Sequence, residues 1–397
     1  MKRRIKEIKV VVGANYGDEG KGLMTDYFSD RGLKCLVVCN NGGAQRGHTV
    51  THGDRRHVFH HLGSGTFSGA DTYLSRYFIL NPILFAQEYQ EMRKYGIVPV
   101  VFRNPDCLWS TPYDMIINQI VEEFRGIKRH GSCGVGIWET IVRSRKIHVP
   151  LDELAGKQAL LRDYLVRVRE DYLPERLKEL GVDRIPESWR EIINGEGLVD
   201  NFIEDMNFLA EYTRTREDGL LLEYDRVIFE NGQGLLLDRN IEKFKEHTTP
   251  SNTGLQNIPD MLDDLDLIGI PVEVCYVTRT YLTRHGAGPF PGECPKSEIN
   301  PWMLDETNQP NAFQGTLRYG IIDSIELGTR IKADFINYAH NEDYSISLAI
   351  THLNETAGKW NGKTDINTEL FKRIGIDRVY YSSAKGKEKI VKEDQYR

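Results

Sequence analysis

The chain has 397 residues, of which 40% are hydrophobic and 27% charged, the composition of an ordinary globular protein. No stretch approaches the roughly 18 consecutive apolar residues of a membrane span, and the basic first residues lead into a strand pattern without a small-residue cleavage site. The formal net charge of −7, with both signs interspersed, argues against a nucleic-acid-binding surface. We therefore expect a cytoplasmic protein that holds any anionic ligand in a local site.

The chain opens with the pattern of a βαβ unit. An apolar run at 8–13 predicts a strand, the glycine-rich stretch "GANYGDEGKG" follows, and a helix is expected over 21–29 before a strand at 33–39. Further strand-like runs, separated by segments with helical spacing, lie at 95–101, 226–230, 272–278 and 346–351. This order predicts an α/β fold with one large, mostly parallel central sheet, whose first β–α turn resembles a phosphate loop.

Residues 151–215 are charged and carry Leu and Ile at three- and four-residue spacings. This pattern predicts a helical insertion packed on the sheet, so we expect one domain over 1–397 with an insertion at about 151–215. The six cysteines are scattered and form no CxxC pair, which favours buried thiols over a disulfide or a metal site.

The glycine-rich turn at 13–22 matches a phosphate loop only in part. Asn15 stands where the Walker pattern has its first glycine, and Gly22 follows Lys21 where that pattern has Ser or Thr. The glycines alone fit a tight connection equally well. Asp18 favours function, because a carboxylate beside bound phosphates can coordinate Mg²⁺ or take a proton from a nucleotide base.

A second glycine-rich segment, "NNGGAQRGHTV" at 40–50, follows the next predicted strand. Its Gly47-His48-Thr49 turn places an imidazole near the carboxyl ends of parallel strands, where open α/β sheets bind ligands. A lone histidine is more often structural, but the shared sheet edge favours a functional one.

These segments and three later ones resemble the adenylosuccinate synthetase family. "GANYGDEGKG" is similar to the family's Gly-x-x-Trp-Gly-Asp-Glu-Gly-Lys-Gly, and "GGAQRGHT" is similar to its Gly-Gly-x-Asn-Ala-Gly-His-Thr. The segments "ENGQGLLLD", "TTPSNTG" and "TRHGAGPFPGE" follow in the family's order. The last of them resembles the family's Thr-Arg-Val-Gly-Ala-Gly-Pro-Phe-Pro-Thr-Glu. The resemblance implies a dimeric ligase that uses Mg²⁺ and joins L-aspartate to C6 of IMP, with GTP hydrolysed to GDP and phosphate.

The resemblance also implies catalytic roles. Asp18 would remove the purine N1 proton and bind Mg²⁺, which the carbonyl of Gly47 would also bind. His48 would stabilise the transferring phosphoryl group, and Lys21 would hold the donor phosphates. Gln233 would contact the purine oxygen and hold the 6-phosphoryl intermediate.

Each substrate is assigned residues in the same way. The donor nucleotide would contact Gly17, Glu19, Gly20, Lys21, Gly22, Gly47, His48, Thr49, His352, Asn354, Ser383 and Gly386. The acceptor nucleotide would contact Ser132, Cys133, Arg145, Gln233 and Thr249. The amino acid would contact Thr316 and Arg318.

Three blocks depart from the family, and all three concern substrate identity. The first, "GSCGVGIWETIVRSR" at 131–145, lacks the family's threonine pair and leaves Arg143 or Arg145 to reach the acceptor. The second, "FQGTLRYG", keeps one arginine of an arginine-rich loop. The third, "THLN", has Asn354 in place of Asp, which leaves GTP or ATP as donor. We expect IMP as acceptor. The alternatives are dGMP or another 6-oxopurine nucleotide, as in a phage branch of the family, and, from another class, a nucleotide-binding regulator without catalysis.

Overall fold

The computed structural model describes residues 5–29, 32–126, 129–265, 267, 269–303, 315–339 and 343–395. The strands, in chain order, are β1 (Glu7–Gly13), β2 (Cys35–Cys39), β3 (Gly42–Gly43), β4 (His48–His52), β5 (Arg55–Phe59), β6 (Asp71–Leu74), β7 (Phe78–Leu80), β8 (Val101–Arg103), β9 (Leu108–Trp109), β10 (Thr213–Thr215), β11 (Arg226–Glu230), β12 (Val272–Arg279), β13 (Leu282–Arg284), β14 (Glu293–Cys294), β15 (Arg318–Gly320), β16 (Tyr344–Thr351), β17 (Lys359–Trp360), β18 (Thr364–Asp365), β19 (Arg378–Ser382) and β20 (Ile390–Lys392).

The α-helices are α1 (Lys21–Phe28), α2 (Pro82–Lys94), α3 (Pro112–Arg125), α4 (Ile137–Lys146), α5 (Leu151–Leu154), α6 (Gln158–Arg167), α7 (Leu173–Glu179), α8 (Glu187–Asn194), α9 (Glu196–Tyr212), α10 (Asn257–Leu262), α11 (Ser324–Tyr338) and α12 (Glu369–Lys372). Within the described ranges, no helix has the length and apolar character needed to cross a membrane.

The central sheet of the described residues has ten strands in the order β10-β8-β6-β2-β11-β1-β12-β16-β19-β20. Every neighbouring pair is parallel except β19 with β20. Every residue of β2 and of β12 is buried, as expected for parallel strands covered on both faces. The predicted large, mostly parallel sheet is therefore confirmed.

The expected strand at 95–101 is wrong in its position. Helix α2 and its turn occupy the chain up to residue 96, and β8 begins only at Val101. Val98 is 69% exposed and Val100 42%, while Pro99 has no N–H for a sheet hydrogen bond. Val98 and Val100 therefore lie on the surface of a loop, and the strand starts only at Val101.

Residues 151–212 are mostly helical, with α6 and α7 joined by a π-helical turn at Val168–Tyr172. Buried Leu165, Phe202 and Met206 belong to one apolar cluster that packs this region on the sheet. The last three residues of the expected insertion differ from the prediction, because Thr213–Thr215 pairs with β8 and forms an edge strand of the sheet.

The six cysteines are thiols, and no disulfide joins them. Four are buried as expected, whereas Cys133 and Cys294 are partly exposed. The difference arises because Cys133 lines a cleft and Cys294 lies in the short strand β14, outside the central sheet.

The carboxyl ends of β1, β11, β12 and β16 lie side by side at one edge of the sheet. The chain leaves these strands at residues 14, 231, 280 and 352. This edge is where open parallel sheets bind ligands, and it brings together segments that are far apart in the sequence.

Candidate functional site

The loop after β1 directs its two carboxylates to opposite sides. Glu19 turns inward, where its Oε1 accepts hydrogen bonds from the backbone N–H of Asn15 (2.9 Å) and of Gly17 (2.8 Å), and its Oε2 lies 3.1 Å from Lys21 Nζ. The side chains of Glu19 and Lys21 are each 2% exposed. Glu19, expected at the donor nucleotide, thus shapes the loop and neutralises the lysine.

Asp18 faces the cleft. Its backbone adopts the left-handed conformation (φ 61°), which is uncommon for a residue other than glycine, and its main-chain carbonyl accepts a hydrogen bond from Arg279 Nε. Its carboxylate is 23% exposed and lies 3.3 Å from His285 Nε2. The cleft therefore receives one carboxylate from this loop.

Helix α1 begins immediately after the loop, with Gly20 as its N-cap. Its first residues line the cleft, and a helix N-terminus favours bound phosphate. A Cβ on Gly22 would lie 3.0 Å from the carbonyl oxygen of Thr49 and from His48 Cβ. The close approach of β4 thus explains why glycine follows the lysine where a Walker loop has Ser or Thr.

His48 is held by a carboxylate that the sequence interpretation missed. Its Nδ1 lies 2.8 Å from Oε1 of Glu230, the last residue of β11, and Arg46 Nη1 lies 3.5 Å from Oε2 of the same carboxylate. Burial opposes ionisation of Glu230, but His48 and Arg46 outweigh it and lower the pKa of Glu230 to about 2. Glu230 is therefore a carboxylate at neutral pH.

Burial lowers the pKa of His48 to about 4, although Glu230 opposes this shift. The neutral imidazole thus donates its Nδ1–H to Glu230. Its Nε2 is buried, and no hydrogen-bond partner for it lies within the part of the chain that the structure describes. This nitrogen is available to a ligand.

Two glutamine side chains meet above Gly42. An added Cβ there would lie 3.0 Å from Gln45 Nε2 and 3.2 Å from Gln233 Oε1. Among the described residues, neither amide atom of Gln45 nor Oε1 of Gln233 has a hydrogen-bond partner, although all three are buried. Buried amides are normally satisfied, so this part of the cleft is suited to a polar ligand.

These groups line one cleft of about 1880 Å³. The expected site residues that line it are Gly17, Asp18, Gly20, Lys21, Gly22, Gly47, His48, Thr49, Ser132, Cys133, Arg145, Gln233, Thr249, His352 and Asn354. The expected residues outside this lining, within the described ranges, are Glu19, Thr316, Arg318, Ser383 and Gly386.

The geometry separates the two arginine alternatives. Arg143 is 1% exposed, its Nε lies 2.9 Å from Asp114 Oδ1, and it also donates to the hydroxyl of Tyr164. Arg145 is exposed, lines the cleft and lies over the Trp138 ring at 5.6 Å. Arg143 is therefore a core ion pair, and only Arg145 is placed to reach a nucleotide.

The backbone at Ser132 is already occupied by a carboxylate. Glu122 accepts hydrogen bonds from the N–H groups of Gly131 (2.8 Å), Ser132 (3.2 Å) and His130 (3.3 Å). The Ser132 hydroxyl bonds with Asn118. A phosphate at this loop would have to share these donors with Glu122.

The two residues expected at the amino acid lie beside the cleft. Thr316 is exposed. Arg318 Nε donates to Glu293 Oε1 (2.8 Å), and its Nη1 donates to the Gly288 carbonyl (2.9 Å). The segment 304–314, with the first two residues of the quoted "FQGTLRYG" motif, lies outside the described residues.

At the end of β16, His352 and Asn354 enter the cleft. His352 has a left-handed backbone, and its Nδ1 lies 2.7 Å from the Thr351 hydroxyl. Ser383 and Gly386 do not line the cleft, to which their neighbours Ala384 and Lys385 contribute instead.

The donor set for a metal is small. The described residues contain no group of three or more His, Cys, Asp or Glu side chains placed to hold one ion. Asp18 and Gly47 line the same cleft and can offer one carboxylate and one carbonyl oxygen. This set fits Mg²⁺, which keeps several waters and relies on substrate phosphates for the remaining ligands.

Sequence interpretation missed four residues of this site: Gln45, Arg46, Glu230 and His285. The first two lie inside the quoted motif "GGAQRGHT", and Glu230 ends a predicted strand and opens "ENGQGLLLD". His285 stands where the family pattern has valine. Each therefore had a signal, but the sequence did not show that Glu230 pairs with His48 or His285 with Asp18.

Comparisons with known proteins agree on one family. The family model described as adenylosuccinate synthetase matches residues 10–332. The adenylosuccinate synthetase of Acidithiobacillus ferrooxidans is 29% identical over 338 residues, which cover 80% of this chain and 72% of that protein.

Two solved structures share the fold. Fully ligated adenylosuccinate synthetase from Plasmodium falciparum aligns with a TM-score of 0.69 at 15% identity, covering 98% of this chain and 100% of that one. The succinoaminodeoxyadenylate synthetase of cyanophage S-2L, bound to dGMP and dATP, aligns with a TM-score of 0.61 at 14% identity, covering 98% and 96%.

Proposed function

The chain belongs to the adenylosuccinate synthetase family and is a ligase that forms a C–N bond, and on that premise we propose that it joins the amine of L-aspartate to C6 of IMP while GTP is hydrolysed to GDP and phosphate. A purine 6-oxygen is a poor leaving group, so it must first be converted into a phosphate ester. The proposal therefore has two steps, phosphoryl transfer to the 6-oxygen and displacement of phosphate by the amine.

In the first step Asp18 removes the N1 proton, and the electron pair moves to the 6-oxygen. The oxygen attacks the γ-phosphorus, and the bond from that phosphorus to GDP breaks. One observation carries this assignment: Asp18 faces the cleft beside the phosphate loop, whereas Glu19 is buried against Lys21. A base is thus available where the acceptor purine meets the donor phosphates.

His48 stabilises the group in transfer. Glu230 fixes the ring through Nδ1, which leaves Nε2 directed at the ligand. As the triphosphate brings negative charge to Nε2, uptake of a proton from solvent at this nitrogen becomes favourable, and the imidazolium then donates to a phosphoryl oxygen. Glu230 stabilises this imidazolium, because its carboxylate forms an ion pair with the charged ring in a buried site where water does not solvate the charge.

In the second step the aspartate amine attacks C6, the C6–O bond breaks, phosphate leaves and the nitrogen loses a proton. Gln233 orients the purine at position 6 through its amide. Thr249 and Ser132 hold the acceptor phosphate, and Thr316 and Arg318 remain the proposed contacts of the amino acid. Arg145 is exposed and lines the cleft, which leaves it available to an acceptor nucleotide; a dimer in which it reaches the neighbouring acceptor is part of the proposal.

Mg²⁺ would be held by the Asp18 carboxylate and the Gly47 carbonyl together with phosphate oxygens. When bound, it neutralises charge on the donor phosphates. The protein would contribute by positioning the Asp18 carboxylate next to the N-terminal turn of α1, where the donor phosphates bind.

The test is to incubate the purified protein with Mg²⁺, L-aspartate and either GTP or ATP, with IMP, GMP or dGMP as acceptor, and to follow products by mass. Formation of the aspartyl adduct of IMP with an equal amount of GDP supports the proposal. An adduct of dGMP alone would replace IMP as acceptor, and ATP use would replace GTP. Triphosphate hydrolysis without any adduct would contradict the proposed reaction.

A further inference from the structure

We propose that His285 is a positioning residue for Asp18, holding one carboxylate oxygen so that the other faces the acceptor purine. The inference rests on the proposed function, in which Asp18 takes the N1 proton. It starts from the distance of 3.3 Å between His285 Nε2 and Asp18 Oδ2. The two residues come from different segments, the loop after β1 and the loop after β13.

The loop that carries His285 is fixed from within. Its neighbour Arg284 is 1% exposed and donates to the carbonyls of Pro289 (2.8 Å) and His247 (3.2 Å). Gly286 has φ 70°, and a Cβ there would lie 3.0 Å from the Gly131 carbonyl oxygen. The imidazole is therefore presented by a rigid turn and not by a loosely tethered one.

The backbone of Asp18 is fixed as well, by its left-handed turn and by Arg279. The neighbouring cation, Lys21, is paired with Glu19, its Nζ lying 3.1 Å from Glu19 Oε2. What these contacts leave undetermined is rotation of the Asp18 carboxylate. An Nε2–H donor on Oδ2 fixes this rotation and leaves Oδ1 to take the N1 proton, a transfer that requires an approach of roughly 2.6–3.2 Å.

The residue at this place differs from the family motif. The family pattern has valine between the arginine and the glycine of this loop, and valine cannot donate a hydrogen bond. Here the same place holds His285, and both members of the pair line the cleft, each about one-fifth exposed. The imidazole thus contacts a reacting group instead of filling the core.

The kinetic test compares His285→Val with His285→Gln, whose amide N–H reaches about as far as Nε2. We expect kcat to fall roughly 10- to 100-fold in His285→Val with the acceptor KM within about threefold, because the contacts of the nucleotide remain. His285→Gln should recover kcat to within about threefold of wild type. The control is His148→Val, an exposed histidine after α4 that should change neither constant.

The contact is also tested without turnover, by NMR of protein labelled with ¹⁵N-histidine. Asp18→Asn is expected to displace the Nε2 resonance of His285 and to leave that of His148 in place. An unmoved resonance overturns the pair, and full kcat in His285→Val overturns the positioning role. An inactive wild type would contradict the proposed function instead, and the resonance would still decide whether His285 holds Asp18.

Discussion

The two walls of the cleft are built differently. The phosphoryl wall comprises residues 13–23, 45–49 and 230–234. The substrate wall comprises residues 130–133, 247–250 and 285–287, together with residues 288–293 and 316–318 beside them. In the first wall, buried polar and charged groups from distant segments bond to each other, as His48 does with Glu230. In the second, the contacts are local and closer to solvent, as in the pair of Arg318 with Glu293.

The difference shows which parts of the proposed site have side chains held in fixed orientations. The groups proposed to act on the phosphoryl are pre-oriented by buried contacts, so little reorganisation would be required at the moment of reaction. The groups proposed to recognise substrate lie on loops and short strands near the surface, where sequence changes cost little stability. The three blocks that depart from the family concern substrate identity, and two of them, at 131–145 and 313–320, reach into the substrate wall.

The largest expected effect tests the phosphoryl wall. Asp18→Asn should lower kcat by at least ~10² and leave nucleotide binding nearly unchanged, because the amide is isosteric but not basic. Steady-state kinetics and direct titration with GTP measure the two effects. The matched variant is Glu19→Gln, which should lower the melting temperature by weakening the loop's internal bonds. Equal kcat losses at unchanged stability would contradict the division of roles between the two carboxylates.

A second prediction contrasts two buried carboxyl groups. Glu230 has cationic neighbours and a lowered pKa. Asp334 lies beneath the 248–254 loop, and burial raises its pKa to about 6. The hydrogen bonds that Tyr276 and the Leu255 N–H donate to Asp334 oppose this rise but do not cancel it. Between its ordinary pKa of 3.8 and 6, the unfolded chain loses this proton while the folded chain keeps it. The free energy of unfolding should therefore fall, by about 1–3 kcal/mol, as pH rises through this window.

Urea unfolding at several pH values measures this slope. Asp334→Asn should flatten it, because the amide does not titrate. Asp183→Asn, at an exposed carboxyl group, should leave it unchanged. A wild-type slope that survives in Asp334→Asn would show that this carboxyl group is not the source.

The rim of the substrate wall offers a smaller effect. Arg145→Ala should raise the acceptor KM by roughly tenfold, the loss of one charge-assisted contact, with the melting temperature unchanged. Arg143→Ala should instead lower the melting temperature, because it leaves buried Asp114 without its cation. A stable Arg143→Ala variant with a raised acceptor KM would reverse this assignment.

The smallest effect is expected at Arg318, whose guanidinium is engaged by Glu293 and two backbone carbonyls. A partly exposed ion pair contributes ~0–1 kcal/mol, so Arg318 can exchange Glu293 for a substrate carboxylate at little cost, and Arg318→Leu should raise the aspartate KM by roughly threefold to fivefold. The KM values for both nucleotides serve as the internal comparison and should not change. An aspartate KM that does not rise would show that Arg318 stays with Glu293 and does not bind the amino acid.

Patterns confined to a few neighbouring residues allowed correct prediction. The apolar runs at 226–230 and 272–278 became β11 and most of β12, since strands buried on both faces need continuous apolar residues. The run at 95–101 was wrong up to residue 100, because Val98 and Val100 are exposed and only Val101 enters a strand. Strand β6 was missed because Asp71 and Thr72 interrupt the apolar pattern.

The sequence by itself determined the α/β class, the family and the segments that meet at the cleft, because each depends on residues adjacent in the chain. Only the tertiary structure decided that Asp18 faces the cleft while Glu19 is buried, that Glu230 holds His48, and that Arg143 lies in the core while Arg145 lines the cleft. The physical reason is that the direction and charge state of a side chain depend on burial and on partners from distant segments. Those partners are brought together only by packing of the sheet and its loops.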